Sequence, residues 1–196
     1  MSIEVFDETY PQEYLDGLNE YYLSNNVKWK YIKDCAFGDE VEERGGNVHI
    51  PSFSTVPMRD RMVIDEKALK GWSLAIFLNQ ELFGLDPLDM LRLRIGMQLP
   101  LIHSEPCLHH NPHVDFPAVK VKHKTVLLYL CDTDGDTFFF DDDGDIIKRV
   151  TPKLGRAVVF DGHHMHASSS PTYGTRIAAN FNYLIDREEQ LNAPSL

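Results

Sequence analysis

The chain has 196 residues, with 30 acidic against 19 basic side chains and a net charge of −11. Hydrophobic and charged fractions of 43% and 25% exclude disordered, collagen-like and coiled-coil classes, and the length suits a single domain with a sizeable core. No apolar run approaches the roughly 20 residues of a bilayer span, and the acidic start MSIEVFDETYPQEY is unlike a signal peptide, so a cytoplasmic protein is expected.

Excess acid also argues against nucleic-acid and membrane partners, whose phosphates need a basic footprint. Cys35, Cys107 and Cys131 are too few, and odd in number, for a disulfide framework.

In chain order, Tyr14, Leu15, Leu18, Tyr21, Tyr22 and Leu23 recur at helical spacing, and Ser24-Asn25-Asn26 ends a helix of about 13 residues. Residues 27–37 alternate in part and are rich in aromatics, as in a strand. Residues 39–54, with Gly45-Gly46 and Pro51, read as loop. Over residues 64–83, Leu69, Trp72, Leu74, Phe77, Leu78, Leu82 and Phe83 form one helical stripe, with Asp65 and Glu66 suited to the N-terminal end of the dipole.

After this helix the texture changes. Residues 90–95 read as a strand in which Arg92 and Arg94 alternate with Leu91, Leu93 and Ile95, giving one basic face, expected to be solvated or to line a substrate groove. From Thr125 onward TVLLYL, TFFF, IIKRV, RAVVF and TRIAANFNYLI alternate with turn signals, the mark of an antiparallel sandwich or barrel. The expected architecture is mainly β (α+β), a single domain over 1–196. Residues 1–89 form a helical or mixed support layer, 90–185 the β core and 186–196 a tail.

Seven aspartates fall within residues 132–145. An EF-hand register starting at Asp132 puts Thr137 where glycine is needed and Asp143 where glutamate is needed, so Asp134-Gly135 and Asp143-Gly144 are better read as hairpin turns. Outside this window the charge is only −4 (19 basic, 23 acidic).

Eight of the nine histidines lie between His103 and His166. In His113-Val114-Asp115, residues i and i+2 of an extended segment face the same side, so imidazole and carboxylate can converge. A third ligand can come from His163, His164 or His166, which follow an apolar strand. Two histidines and a carboxylate on one octahedral face leave three positions open, as in non-haem Fe(II) oxygenases. Arg176 lies ten residues beyond His166. A hairpin between them would bring Arg176 back on the neighbouring strand near the level of His166, placed to bind a 2-oxo acid's far carboxylate.

This pattern, His113-x-Asp115, then His166 53 residues on, then Arg176, resembles the Fe(II)/2-oxoglutarate-dependent oxygenases, in particular their prolyl-hydroxylase-like branch. The resemblance spans roughly residues 90–185. It implies a double-stranded β-helix (jelly-roll, cupin-like) with His113, Asp115 and His166 as metal ligands, His166 being favoured by the ten-residue step to Arg176 and the following Ala-Ser. KTVLLYL and RIAANFNY resemble family strands that would place Tyr129 and Asn180 beside the co-substrate, with Arg176 as its anchor. The segment YYLSNNVKW is similar to small stand-alone members from bacteria and phages.

The cofactor set implied is Fe(II), 2-oxoglutarate and O₂, with ascorbate as a candidate reductant. The implied reaction is hydroxylation of a C–H bond in a small-molecule or peptide substrate, with a peptidyl or free proline or other amino acid as the leading guess, and 2-oxoglutarate leaving as succinate and CO₂.

Two other readings stand beside this one. A cupin-type metal-dependent dioxygenase or isomerase would need a second histidine where Asp115 stands. A non-catalytic barrel would bind an acidic or peptide ligand through Lys120, Lys122 and Lys124. His103, His109 and His110 are expected to be solvated loop residues, with lining of the mouth as the alternative, and His163 and His164 rim residues, supports of the ligands or substrate contacts.

Overall fold

The computed structural model describes residues 2–36, 50–101, 109–115 and 122–185. The loop expected over residues 39–49, Cys107, His103, Lys120 and the tail at 186–196 lie outside the described residues.

Strands dominate, all paired antiparallel. They are β1 (Glu4–Phe6), β2 (Lys30–Ile32), β3 (Ser52–Arg59), β4 (Met62–Val63), β5 (Met90–Gln98), β6 (His123–Tyr129), β7 (Thr137–Phe140), β8 (Ile146–Val150), β9 (Ala157–Asp161), β10 (His166–Ser168) and β11 (Arg176–Leu184). The large sheet runs β1-β9-β6-β11-β5-β3-β2, with β4 on β3, and a small sheet runs β10-β7-β8.

Side-chain alternation divides the large sheet's two faces between two cores. Val126, Leu128, Ile177, Ala179, Phe181, Leu93 and Ile95 face the helices, together with Leu15, Leu18, Tyr22 and Trp72. Leu127, Tyr129, Val158, Phe160 and Ala178 pack on the other face with Phe139 and Val150 of the small sheet. Because β6 is covered on both faces, its sequence is a continuous apolar run without alternation.

The helices are α1 (Gln12–Leu23), α2 (Glu66–Gly71) and α3 (Ser73–Phe83). The single helix expected over residues 64–83 is broken in two. The Asp65 side chain caps α2 by accepting from Ala68 N at 2.9 Å, and α2 stops at Trp72, whose φ of −96° and ψ of 0° are not helical. Trp72 is fully buried, donates from Nε1 to Tyr22 Oη at 2.6 Å and meets the Phe181 ring edge-on at 5.4 Å. Seating that indole costs the helix its continuity. The expected apolar stripe also turns out to be half exposed: Leu74, Phe77 and Leu82 face outward, while Ala75 and Asn79 are buried.

Two other expectations change. Among the described residues 27–36, only Lys30–Ile32 is a strand, and the segment taken as loop up to residue 54 already contains the start of β3. Ser52 and Ser54 there are buried, a polar-inward pattern that hides the strand from a hydrophobicity reading.

Candidate active site

His113 and His166 form an isolated antiparallel bridge, each backbone N–H donating to the other's carbonyl at 2.9 Å. The two imidazoles and Asp115 bring their ligand atoms within 4.8 Å of one another. The Nδ1 of His166 lies 2.9 Å from His164 O and that of His113 3.3 Å from Asn111 O. Both carbonyls select the Nδ1–H tautomer and leave Nε2 as the free lone pair, the usual support for metal-binding histidines.

Burial, then the neighbouring His166, pushes the His113 pKa down to about 3, so the ring is a neutral donor at physiological pH. The His166 ring is walled by Phe160 at 5.1 Å and Phe139 at 6.1 Å. This donor set fits Fe(II) with open coordination positions.

Asp115 is held from several strands. Arg92 Nη2 donates to Oδ1 at 3.0 Å, and Asn180 and Asn182 Nδ2 donate to Oδ2 at 3.1 and 3.3 Å. His123 Nε2 lies 3.2 Å from the Asp115 carbonyl. Burial raises the Asp115 pKa, but Arg92 and then the two ligand histidines outweigh it and hold the carboxyl well below the usual carboxylate range. His123 and Asn182 were not singled out in the sequence. Their signal is a polar residue at an inward position of an otherwise apolar strand.

Arg176 lines the same cavity. Its Nε donates to Gly135 O at 2.7 Å and its Nη2 to Thr137 Oγ1 at 3.0 Å, and the guanidinium carbon stands 5.5 Å from the centre of the Tyr129 ring. Tyr129 also donates to Thr137 Oγ1, at 2.7 Å. The Thr137 oxygen thus accepts twice, which directs its own O–H into the cavity, where Thr137 is part of the lining. Arg176 and Thr137 together make a donor pair suited to a carboxylate, and Tyr129 stands behind them as a support.

β10 and β11 belong to different sheets, so His166 and Arg176 face each other across the barrel and are not neighbours in one hairpin. The turn expected at Asp134-Gly135 is likewise a crossing from β6 in the large sheet to β7 in the small one. Its Gly135 is required by packing: a Cβ there would lie 2.9 Å from both Arg176 Cδ and Ser169 O. Asp143-Gly144 does close the β7–β8 hairpin, with Gly144 at φ +87°.

Of the two readings left open for the basic face of β5, the inward one fits: Arg92 holds Asp115 and Arg94 lines the cavity. His110 is no solvated loop residue. It is buried, with Nδ1 2.9 Å from Cys35 Sγ and Nε2 3.0 Å from Ser170 Oγ. Burial, then Arg176, lowers its pKa to about 4. His109 packs edge-on against Phe140 at 4.8 Å. His163 is partly exposed beside Asp161, whereas His164 is buried.

Residues 102–184 match the family model described as the 2OG-Fe(II) oxygenase superfamily. No curated protein matches the chain. Among solved structures, a 2OG-Fe(II) oxygenase family oxidoreductase from Burkholderia pseudomallei has a TM-score of 0.67 at 14% identity, covering 92% of this chain and 84% of that one. A prolyl hydroxylase from Trichoplax adhaerens, solved with a peptide fragment of a hypoxia inducible factor degradation domain, has a TM-score of 0.67 at 13% identity and covers 98% and 87%. A Pseudomonas putida prolyl-4-hydroxylase has a TM-score of 0.56 at 16% identity and covers 93% and 91%.

Residues 102–184 thus match the 2OG-Fe(II) oxygenase superfamily model, and the fold is similar to that of solved prolyl hydroxylases. The family uses Fe(II), 2-oxoglutarate and O₂, and the His-Asp-His set suits that metal. Among the described residues, no helix is long and apolar enough to cross a membrane.

Proposed function

We propose that the protein is a 2-oxoglutarate-dependent dioxygenase that hydroxylates a C–H bond of a small amino-acid or peptidyl substrate, with His113, Asp115 and His166 holding Fe(II) and Arg176 anchoring the co-substrate. The observation that carries this reading is the convergence of the three ligands within 4.8 Å, with His113 and His166 lining one cavity together with Arg176. Bound iron supplies the oxygen activation, coupled to loss of CO₂ from 2-oxoglutarate.

The chain's own residues bind, orient and exclude water. His113 and His166 present their Nε2 atoms, and Arg92, Asn180 and Asn182 aim the Asp115 carboxylate. Ala178 and Gly96 are register partners on β11 and β5 that line the cavity. They leave a channel between the metal ligands and the Arg176–Thr137 donor pair, into which an extended dicarboxylate fits. Phe139 and Phe160 wall the His166 side against water.

The test is anaerobic addition of Fe(II) and 2-oxoglutarate, followed by the weak visible charge-transfer band of the chelate and by succinate release in air. The band is expected in the wild type, absent in His166→Ala and shifted to higher 2-oxoglutarate concentration in Arg176→Gln. A wild type with neither band nor succinate refutes the proposal.

A further inference from the structure

The cavity carries more positive charge than its ligands and co-substrate require. Arg92 is committed to Asp115 at 3.0 Å, and Arg176 is the co-substrate anchor. Arg94 remains: its side chain lines the cavity, and among the described residues it makes no hydrogen bond or salt bridge, although the charge of Asp115 reaches it. Burial, then Arg92, depresses its pKa, and the opposing pull of Asp115, already paired with Arg92, does not offset them.

Position separates Arg94 from the anchor. Across the β11–β5 ladder Arg176 stands opposite Gln98, Ala178 opposite Gly96, Asn180 opposite Arg94 and Asn182 opposite Arg92. Arg94 is therefore level with Asn180, which holds Asp115, at the metal end. Arg176 is four residues away along the strand, about 13 Å. A 2-oxo diacid reaching from the metal to Arg176 runs away from Arg94. Two further polar atoms of the lining, Ser52 Oγ and Gln98 Oε1, are buried without hydrogen-bond partners, but Gln98 stands opposite Arg176, at the anchor end. Nearer Arg94, a Cβ at Gly96 would meet nothing within 4 Å, so the space beside that guanidinium is open.

We infer that Arg94 is a second anion-recognition residue and that the substrate carries a free carboxylate, as a free amino acid or related small acid does and an internal peptidyl residue does not. This rests on the 2-oxoglutarate reading above and narrows its substrate class. A single uncommitted guanidinium matches one monoanion, and the planar fork suits a carboxylate. Arg94 acts on substrate charge and sets specificity, while the co-substrate stays with Arg176.

The test uses the anaerobic Fe(II)- and 2-oxoglutarate-loaded protein. The common L-amino acids, each paired with its carboxamide, are titrated to about 10 mM with the visible band and the thermal midpoint as readouts. At least one free acid is expected to bind, its carboxamide at least about tenfold more weakly. Arg94→Gln should lose that preference, and Arg94→Lys should keep part of it, with 2-oxoglutarate affinity in both within about threefold of the wild type.

The inference is overturned if acids and carboxamides bind alike, if no acid binds, or if Arg94→Gln loses 2-oxoglutarate as Arg176→Gln does. A missing wild-type band sinks the co-substrate reading instead, and the thermal midpoints with the acids still decide the role of Arg94.

Discussion

Replacing Arg92 with methionine separates the cost of holding Asp115 from the cost of holding metal. The pair is poorly hydrated, with side chains 13% and 3% exposed and an N···O distance of 3.0 Å. Breaking a buried ion pair from one side costs about 3–5 kcal/mol, because the remaining charge stays desolvated. Asn180 and Asn182 still donate to Oδ2, which puts the expected loss near the lower end, about 3 kcal/mol. For a chain of this length that is a fall of about 6–12 °C in thermal midpoint.

The loss belongs to the metal-free protein above the normal carboxylate range. The Asp115 pKa is depressed by folding, so its contribution is present above the unfolded value of 3.8 and fades as pH falls toward the folded one. A divalent ion on His113, Asp115 and His166 supplies the missing positive charge, so calorimetry with saturating Mn(II) should show the gap cut by at least about half. A metal-free difference under about 1 kcal/mol, or a gap indifferent to metal, refutes the assignment of Arg92 as the counter-charge of Asp115.

Two other substitutions probe the surroundings. Gly135→Ala forces a methyl within 2.9 Å of Arg176 Cδ and the fixed Ser169 carbonyl; calorimetric titration should show 2-oxoglutarate affinity reduced about tenfold, with a stability cost of about 1–3 kcal/mol. His110 has a folded pKa of about 4 against 6.5 unfolded, so the unfolded chain takes up a proton between those values. Stability is then full above pH 6.5 and declines toward pH 4, by up to about 3 kcal/mol. Urea unfolding of His110→Gln should lack that part of the decline.

Legibility followed one physical rule. Elements that bury apolar side chains in the usual period were readable: α1, β6, β9 and β11 from their patterns, and His113, Asp115 and His166 from spacing and a family resemblance. Misreadings cluster where polar groups face inward. For Arg92 and Arg94 the solvated face and the substrate groove stayed open because charge normally seeks water, and Ser52 and Ser54 hid the start of β3 for the same reason. His110 was placed in solvent although Cys35, Ser168 and Ser170 satisfy it internally. The break at Trp72 escaped because helical periodicity persists through it, and only the tertiary contacts of the indole with Tyr22 and Phe181 require the kink. Thr137 carried no signal beyond opening an aromatic strand.

The backbone bridge between His113 and His166 divides the site into a part set by peptide groups and a part set by side chains. The separation of the two imidazoles rests on a pair of main-chain hydrogen bonds that any residue except proline can make, whereas the carboxylate is steered by amides and a guanidinium drawn from neighbouring strands. Exchanging either histidine for another donor therefore leaves the interval between donors intact, but exchanging the carboxylate disturbs β5 and β11 together. The histidine spacing of such a scaffold tolerates substitution, and the carboxylate corner is where it resists change.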